Sequence, residues 1–188
     1  MARKDYGSKP WLFPQPVLII GTYDKDFKPN AMNAAWGGMY DYDKIVIALS
    51  KHKTTENLKI HKAFTVAFGT KSTVKESDYV GIVSQDKVKD KIEIAKLESH
   101  KSDKVNAPIF DKYPLVIECT VDSFDEDEGV LIGKIINVSV DEAYIDKKTG
   151  KVDTKALEII VFDPINRKYR LVSDEVGDAF KIGSTLKK

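Results

Sequence analysis

Cysteine is nearly missing from this chain: in 188 residues the only one is Cys119. That excludes an internal disulfide framework, and with it the main sequence sign of an oxidising compartment, so the expected location is the cytoplasm. Histidine is scarce too. His52, His61 and His100 form no i, i+4 pair, so no metal site is expected. No apolar run approaches the ~20 residues of a membrane span. None follows the basic residues of the N-terminal MARKDYGSKPW either, so neither a membrane nor a signal sequence is expected. No charge of one sign dominates: 30 Lys and Arg face 29 Asp and Glu, a net +1. Such a balance supplies no field for nucleic acid. Also missing are a G-x-G-x-x-G after a strand, a phosphate loop with its lysine, an internal repeat and a low-complexity tract.

What remains is an ordinary globular composition, 42% apolar and 31% charged, which suits a single domain over residues 1–188. PVLIIGTY (Pro16 to Tyr23) is a nearly unbroken β-branched run and predicts a buried strand. NAMNAAW predicts a strand of low bulk. Further strands are expected at KIVIALS, AFTVAFG, YPLVIECTVDSF, VLIGKIINVSVDEAYID, LEIIVFDP and RKYRLV. DKKTGK reads as a hairpin-type loop with Gly150 at positive φ. KHKTTENLKIHK reads as a basic loop entering a short helix capped by Thr54 or Thr55. Thr73 with Glu76 three residues on reads as a capping box for a helix ending near Ser84. The lysine-rich stretch Lys87 to Lys104 reads as a charged excursion within the domain. Seven or eight strands at hairpin spacing with few helices predict a mainly β fold, an antiparallel barrel rather than a doubly wound parallel sheet.

Candidate chemistry is sparse. Cys119 alternates with Ile117 and Val121, the pattern of a core thiol rather than a nucleophile. Asp125 to Glu128 reads as a solvated acidic turn. Two stretches stand out. In SKHKTTEN (Ser50 to Asn57) a strand ends, basic residues follow and threonines open a helix. Helix-start N–H groups beside cations suit a phosphate, although the same residues also make a plain cap on a solvated loop. In KPNAMNAAWGG (Lys28 to Gly38) a strand position is stripped of bulk. Small side chains let a flat heterocycle reach the backbone edge-on with Trp36 as a wall, or let another strand or helix pack closely. The two stretches flank KIVIALS, so an antiparallel neighbour of that strand would bring them together.

FPQPVLIIGTYDKDFKPNAMNAAWGG, IALSKHKTTENLKIHKAFTVAF, ESDYVGIVSQDKVKDKI, APIFDKYPLVIECTV and IGKIINV, in this order, resemble the flavin reductase-like family over about Lys9 to Gly183. The resemblance implies an FMN-binding split β-barrel of antiparallel Greek-key type and a homodimer with FMN near the subunit interface. It also implies NAD(P)H as electron donor, and free flavin, a ferric chelate or a redox protein as acceptor. An electron carrier without NAD(P)H turnover is the other reading. Asn30 and Trp36 match flavin-contacting positions, and Ala31, Met32, Asn33, Ala34 and Ala35 would line the ring. Ser50, Lys51, His52, Thr54, Thr55 and Asn57 match the segment around the phosphate and ribityl chain. Lys91, in KDKI, matches a lysine expected to act on the reduced ring's charge. Phe162 matches an aromatic packed at the site, with Tyr169 a weaker candidate. Phe162 also reads as plain core and Lys91 as a surface lysine. Glu128 is a departure, standing where many members carry histidine, and bears on nicotinamide docking or flavin potential.

Overall fold

The computed structural model describes residues 1–186; Lys187 and Lys188, the end of the expected domain, lie outside the described residues. Short β1 (Gln15–Pro16) precedes β2 (Leu18–Tyr23), which is buried along its whole length. The Asp24 carboxylate accepts from the Asp26 and Lys28 N–H groups at 2.9 Å each, folding the chain back into β3 (Pro29–Ala34). A second hairpin joins β4 (Gly37–Asp41) to β5 (Lys44–Ala48). Helix α1 (Lys53–His61) leads to β6 (Ala63–Phe68), and α2 (Val74–Ile82) and the single turn α3 (Lys91–Ile94) follow. A small hairpin, β7 (Ser99–Lys101) with β8 (Pro108–Phe110), precedes the long pair β9 (Leu115–Asp125) and β10 (Val130–Val140). The chain closes with β11 (Ile160–Asp163) and β12 (Lys168–Leu171).

Seven strands form one antiparallel sheet in the order β3-β2-β6-β9-β10-β5-β4, and β1-β11-β12 form a smaller one. β3 and β4 are consecutive in the chain, yet they are the two outer strands of that order. Only Ala35 and Trp36 join them, so the sheet must curl until its ends meet at this corner. The result is a mainly β split barrel of Greek-key type, as expected. Side chains alternate across it. Leu18 and Ile20 turn inward with Ile45, Ile47, Phe64 and Leu131. Val17 and Ile19 turn outward, where α2 and the β8 region supply Val80 and Phe110.

Several expectations change. β4 is absent from the predicted strands because its GGMYD has no alternating apolar pattern; hairpin pairing to β5 makes it a strand. The low-bulk strand stops at Ala34, short of Trp36. Within the charged stretch Lys87 to Lys104, Lys91, Ala95, Leu97 and Ser102 are buried. The capping box does not form: Thr73 Oγ1 accepts from Thr70 N–H at 2.9 Å, Glu76 pairs with Lys112 at 2.6 Å, and α2 ends at Ile82. The cap of α1 is His52 rather than either threonine. Thr55 Oγ1 closes back on it, accepting from His52 N–H at 3.1 Å and donating to its carbonyl at 2.7 Å. The DKKTGK loop is a hairpin-type turn, with Asp146 N–H donating to Lys151 O at 2.9 Å and Gly150 at φ 68.

One carboxylate braces the turn between β11 and β12. Asp163 accepts from Asn166 Nδ2 at 3.0 Å, Arg170 Nε at 2.7 Å and the N–H groups of Ile165 and Asn166 at 3.0 Å each. Those bonds, the Asn166 side chain's foremost, hold its carboxyl well below the usual range although burial opposes them. A depressed carboxylate stabilises the fold fully above its unfolded value of about 3.9 and loses that contribution as pH falls below it. Acid titration followed by near-ultraviolet circular dichroism is therefore expected to show a transition beginning near pH 4 that Asp163→Asn lacks. Identical profiles would remove Asp163 from this role.

Candidate functional site

Among the described residues β3 has β2 on one side and no strand on the other. In an antiparallel strand the N–H and C=O of one residue point the same way, and successive residues alternate. Two carbonyls on the open side are taken by side chains. Pro29 O accepts from Gln85 Nε2 at 3.3 Å, and Ala31 O accepts from Lys91 Nζ at 2.7 Å. The same repeat aims the Ala31 N–H and both backbone groups of Asn33 off this free edge.

Lys91 also donates to Val80 O at 2.9 Å, so two of its three N–H groups bridge β3 to α2. Lys91 is 2% exposed, and burial pushes its pKa down to about 8. Around it lies a cleft of about 190 Å³ lined by Asn30, Met32, His52, Thr54 and the Val80–Gln85 segment. Three buried polar atoms from this lining find no partner: Asn30 Oδ1, His52 Nδ1 and Gln85 Oε1. Burial holds His52 below its ordinary value, and the charge of Lys91 adds to the effect. Such orphaned atoms are costly unless a ligand or water meets them. The opening turn of α1 adjoins the cleft, and its first amides have no carbonyl one turn back.

Past the corner at Ala35 lies a second, more open cleft of about 710 Å³, walled by Trp11, Trp36, Phe162 and Tyr169. The Tyr169 hydroxyl donates to Asp78 Oδ1 at 2.7 Å, and its ring packs against Phe162 with centroids 6.0 Å apart.

The predicted residues therefore divide. Asn30, Met32, His52, Thr54 and Lys91 share the polar cleft, while Trp36 and Phe162 share the aromatic one. Ala35 borders an adjoining apolar groove with Trp36. Lys51 and Thr55 lie with His52 beside Lys59 and Glu126, and Ser50 is exposed at the loop entrance. Four residues face protein instead. Ala31 packs in the outer cluster with Val80, and Ala34 in the inner core. Asn33 Nδ2 donates to Ser77 O at 3.0 Å, and Asn57 Nδ2 to Thr22 Oγ1 at 3.1 Å. Part of the missing bulk is thus explained by packing. A Cβ on Gly37 would lie 2.8 Å from Leu18 Cδ1.

The basic loop and the low-bulk strand do meet, but by a different route from the one expected. β5 pairs with β10 and β4, not with β3. Contact comes through α1, where Asn30 Nδ2 donates to Thr54 Oγ1 at 2.8 Å. Gln85, the loop before it and Trp11 were not among the predicted residues. Lys91 is a buried residue rather than a surface lysine. Glu128 is exposed in the acidic turn, whose following Gly129 O accepts from Leu49 N–H at 2.7 Å, beside the start of the basic loop. Gly129 has φ +69, and a Cβ there would lie 2.4 Å from Leu49 O, so only glycine fits. Cys119 is fully buried, and burial pushes its thiol up to about 12, too high for a nucleophile. Among the described residues no helix is long and apolar enough to cross a membrane.

Residues 11–154 match the flavin reductase like domain, and the chain belongs to that family. Its structure is similar to flavoredoxin of Desulfovibrio vulgaris (Miyazaki F), with a TM-score of 0.91 and 30% identity, covering 97% of this chain and 100% of that one. Flavoredoxin from Methanosarcina acetivorans is similar at TM-score 0.88 and 26% identity, over 99% and 100%. Nitrilotriacetate monooxygenase component B from Bacillus cereus shares the fold at TM-score 0.75 and 19% identity, over 89% of each chain. No curated protein matches the sequence.

Proposed function

We propose that this protein is an FMN-binding oxidoreductase of the flavin reductase or flavoredoxin type. It would take reducing equivalents from NAD(P)H and pass electrons to free flavin, a ferric chelate or a redox protein. The carrying observation is the set of orphaned polar atoms around Lys91 at the free edge of β3. Asn30 Oδ1 and Gln85 Oε1 need hydroxyl donors, which a ribityl chain supplies. Lys51 and the first amides of α1 suit a phosphate, and Lys91 suits the negative charge that reduction adds to the ring. The free edge of β3 offers N–H and C=O groups to the polar rim of a flat ring, with Trp36 and Phe162 in reach of its apolar part. When bound, FMN supplies the two-electron chemistry; the chain binds it, orients it and sets the charge around it.

A carrier without its own NAD(P)H turnover is the second reading, favoured by Glu128 in place of the family's histidine and by the lack of a nicotinamide fingerprint. We also propose a homodimer with FMN near the subunit interface, working in the cytoplasm. Trp36, Met39 and Tyr40, each 60% exposed on or beside the edge strand β4, form an apolar margin that a second copy would cover.

The test is the visible spectrum of FMN-reconstituted, desalted protein, then anaerobic NADH or NADPH, with light scattering for mass. Retained flavin that bleaches with either nucleotide, in a particle of twice the chain mass, is expected. Retained flavin that does not bleach selects the carrier. Loss of flavin on desalting overturns the FMN reading, and a single-chain mass overturns the dimer.

A further inference from the structure

Asp78 stands on α2, where it lines the same cleft as Trp36 and Phe162. Among the described residues it forms no ion pair, and its one hydrogen bond comes from the Tyr169 hydroxyl, at 2.7 Å. Tyr169 arrives from β12 in the smaller sheet, with its ring braced on Phe162. A helix and a distant strand thus hold a single carboxylate in one place. The hydroxyl proton is committed to it. Burial first, and then the bond and charge of Asp78, hold Tyr169 far above its ordinary value, while the Asn33 side chain opposes them. Tyr169 therefore stays neutral and the pair carries one full negative charge.

The other charged groups lining this cleft, Lys9 and Arg167, are exposed and unpaired among the described residues. Their charges ride on long, rotatable side chains, whereas the short Asp78 side chain is held in one place by the Tyr169 hydroxyl; all three are exposed and screened by salt. The opposite pole, Lys91 of α3, is tied to the same helix. Lys91 donates to Val80 O, two residues beyond Asp78, with its charge buried in the polar cleft. The site is bordered by a fixed cation at one end and a fixed anion at the other.

We propose that Asp78, held by Tyr169, is a charge-setting residue that lowers the reduction potential of the cofactor bound in this cleft, in opposition to Lys91. The proposal rests on the FMN reading above. Reduction adds negative charge to the bound group, which a fixed anion nearby disfavours and a fixed cation favours. A lower potential makes the protein a stronger electron donor, so the Asp78–Tyr169 pair deepens the assigned function toward acceptors that are hard to reduce.

The experiment is a spectroelectrochemical titration of FMN-loaded wild type, Asp78→Asn, Asp78→Glu and Tyr169→Phe. Asp78 is exposed, so its substitutions leave the fold intact. Asp78→Asn is expected to raise the midpoint, increasing the reduced-to-oxidised ratio at fixed potential about tenfold, or about 30 mV for two electrons. The rise is expected to shrink in 1 M salt, where the Debye length is about 3 Å. Asp78→Glu should keep the wild-type midpoint, and Tyr169→Phe, which frees the carboxylate to move, should fall between. An Asp78→Asn protein with bound FMN and an unchanged midpoint overturns the proposal. So does an Asp78→Asn protein that loses FMN while wild type keeps it, since Asp78 would then be a binding residue. If wild type itself holds no FMN, the underlying reading fails instead, which is a different result.

Discussion

Replacing Lys91 by methionine is expected to weaken FMN binding at pH 7 by about 10- to 150-fold, the worth of a charged hydrogen bond, about 1.5–3 kcal/mol. The ammonium is fully buried, two of its N–H groups hold Ala31 O and Val80 O, and the third is left for a ligand in the polar cleft. The stronger signature is in pH. Lys91 is charged below about 8 and neutral above it. Wild-type affinity for FMN should therefore fall as pH rises through that value and beyond, because an acceptor bound to the charged lysine raises its own pKa. The methionine variant should lack this limb.

The cofactor-free fold should move the other way. Its lysine pKa lies below the unfolded value of about 10.4, so the charged form costs stability below about pH 8. That cost is relieved between about pH 8 and pH 10. Fluorescence titration with FMN and urea unfolding of the free chain across this range would read both limbs. Parallel binding profiles for wild type and Lys91→Met would remove Lys91 from the ligand's reach.

The second large effect is in the inner core. Phe64 is fully buried, and its ring lies where Gly133 lacks a side chain; a Cβ on Gly133 would fall 2.3 Å from Phe64 Cζ. Phe64→Ala should cost about 3–5 kcal/mol, through lost transfer energy and the cavity left behind. Gly133→Ala alone should also destabilise, by collision. Together the two should be less harmful than their sum, since the new methyl enters the vacated space and its next neighbour, Cys119 Cβ, lies at an ordinary 3.4 Å. A coupling of at least about 1 kcal/mol in a urea double-mutant cycle is expected. Additive values would mean that the barrel wall shifts instead of meeting the ring.

The fold was legible where side-chain pattern and backbone agree. The β-branched run of β2, the alternation of β6 and the pair β9 and β10 lie where their sequences place them, except that β10 ends at Val140, before the expected DEAYID, which turns into a short 3-10 helix at Glu142–Tyr144. β4 was illegible because two glycines and an exposed Met-Tyr pair carry no periodicity; its partner β5 makes it a strand. Lys91 shows the limit at the site. In KDKI it is one of many lysines, and nothing nearby in sequence tells that Ala31 and Val80 carbonyls will enclose it. Gln85 was hidden in the same way. The low-bulk stretch left open whether a ligand or close packing fills it, and for Ala31, Ala34 and Gly37 it is packing, since α2, the inner core and Leu18 press on them.

The side chains that occupy the outer carbonyls of β3 also bear on how the chain avoids its own copies before any cofactor arrives. An open strand edge is a template on which another strand can add, and from which aggregates grow. Gln85 and Lys91 fill two successive acceptors on that edge, and one of them places a charge in the path of an incoming strand. A newly made, empty protein is thereby kept from edge-to-edge polymerisation by the groups that prepare its binding cleft, so loss of Lys91 would endanger solubility as well as affinity.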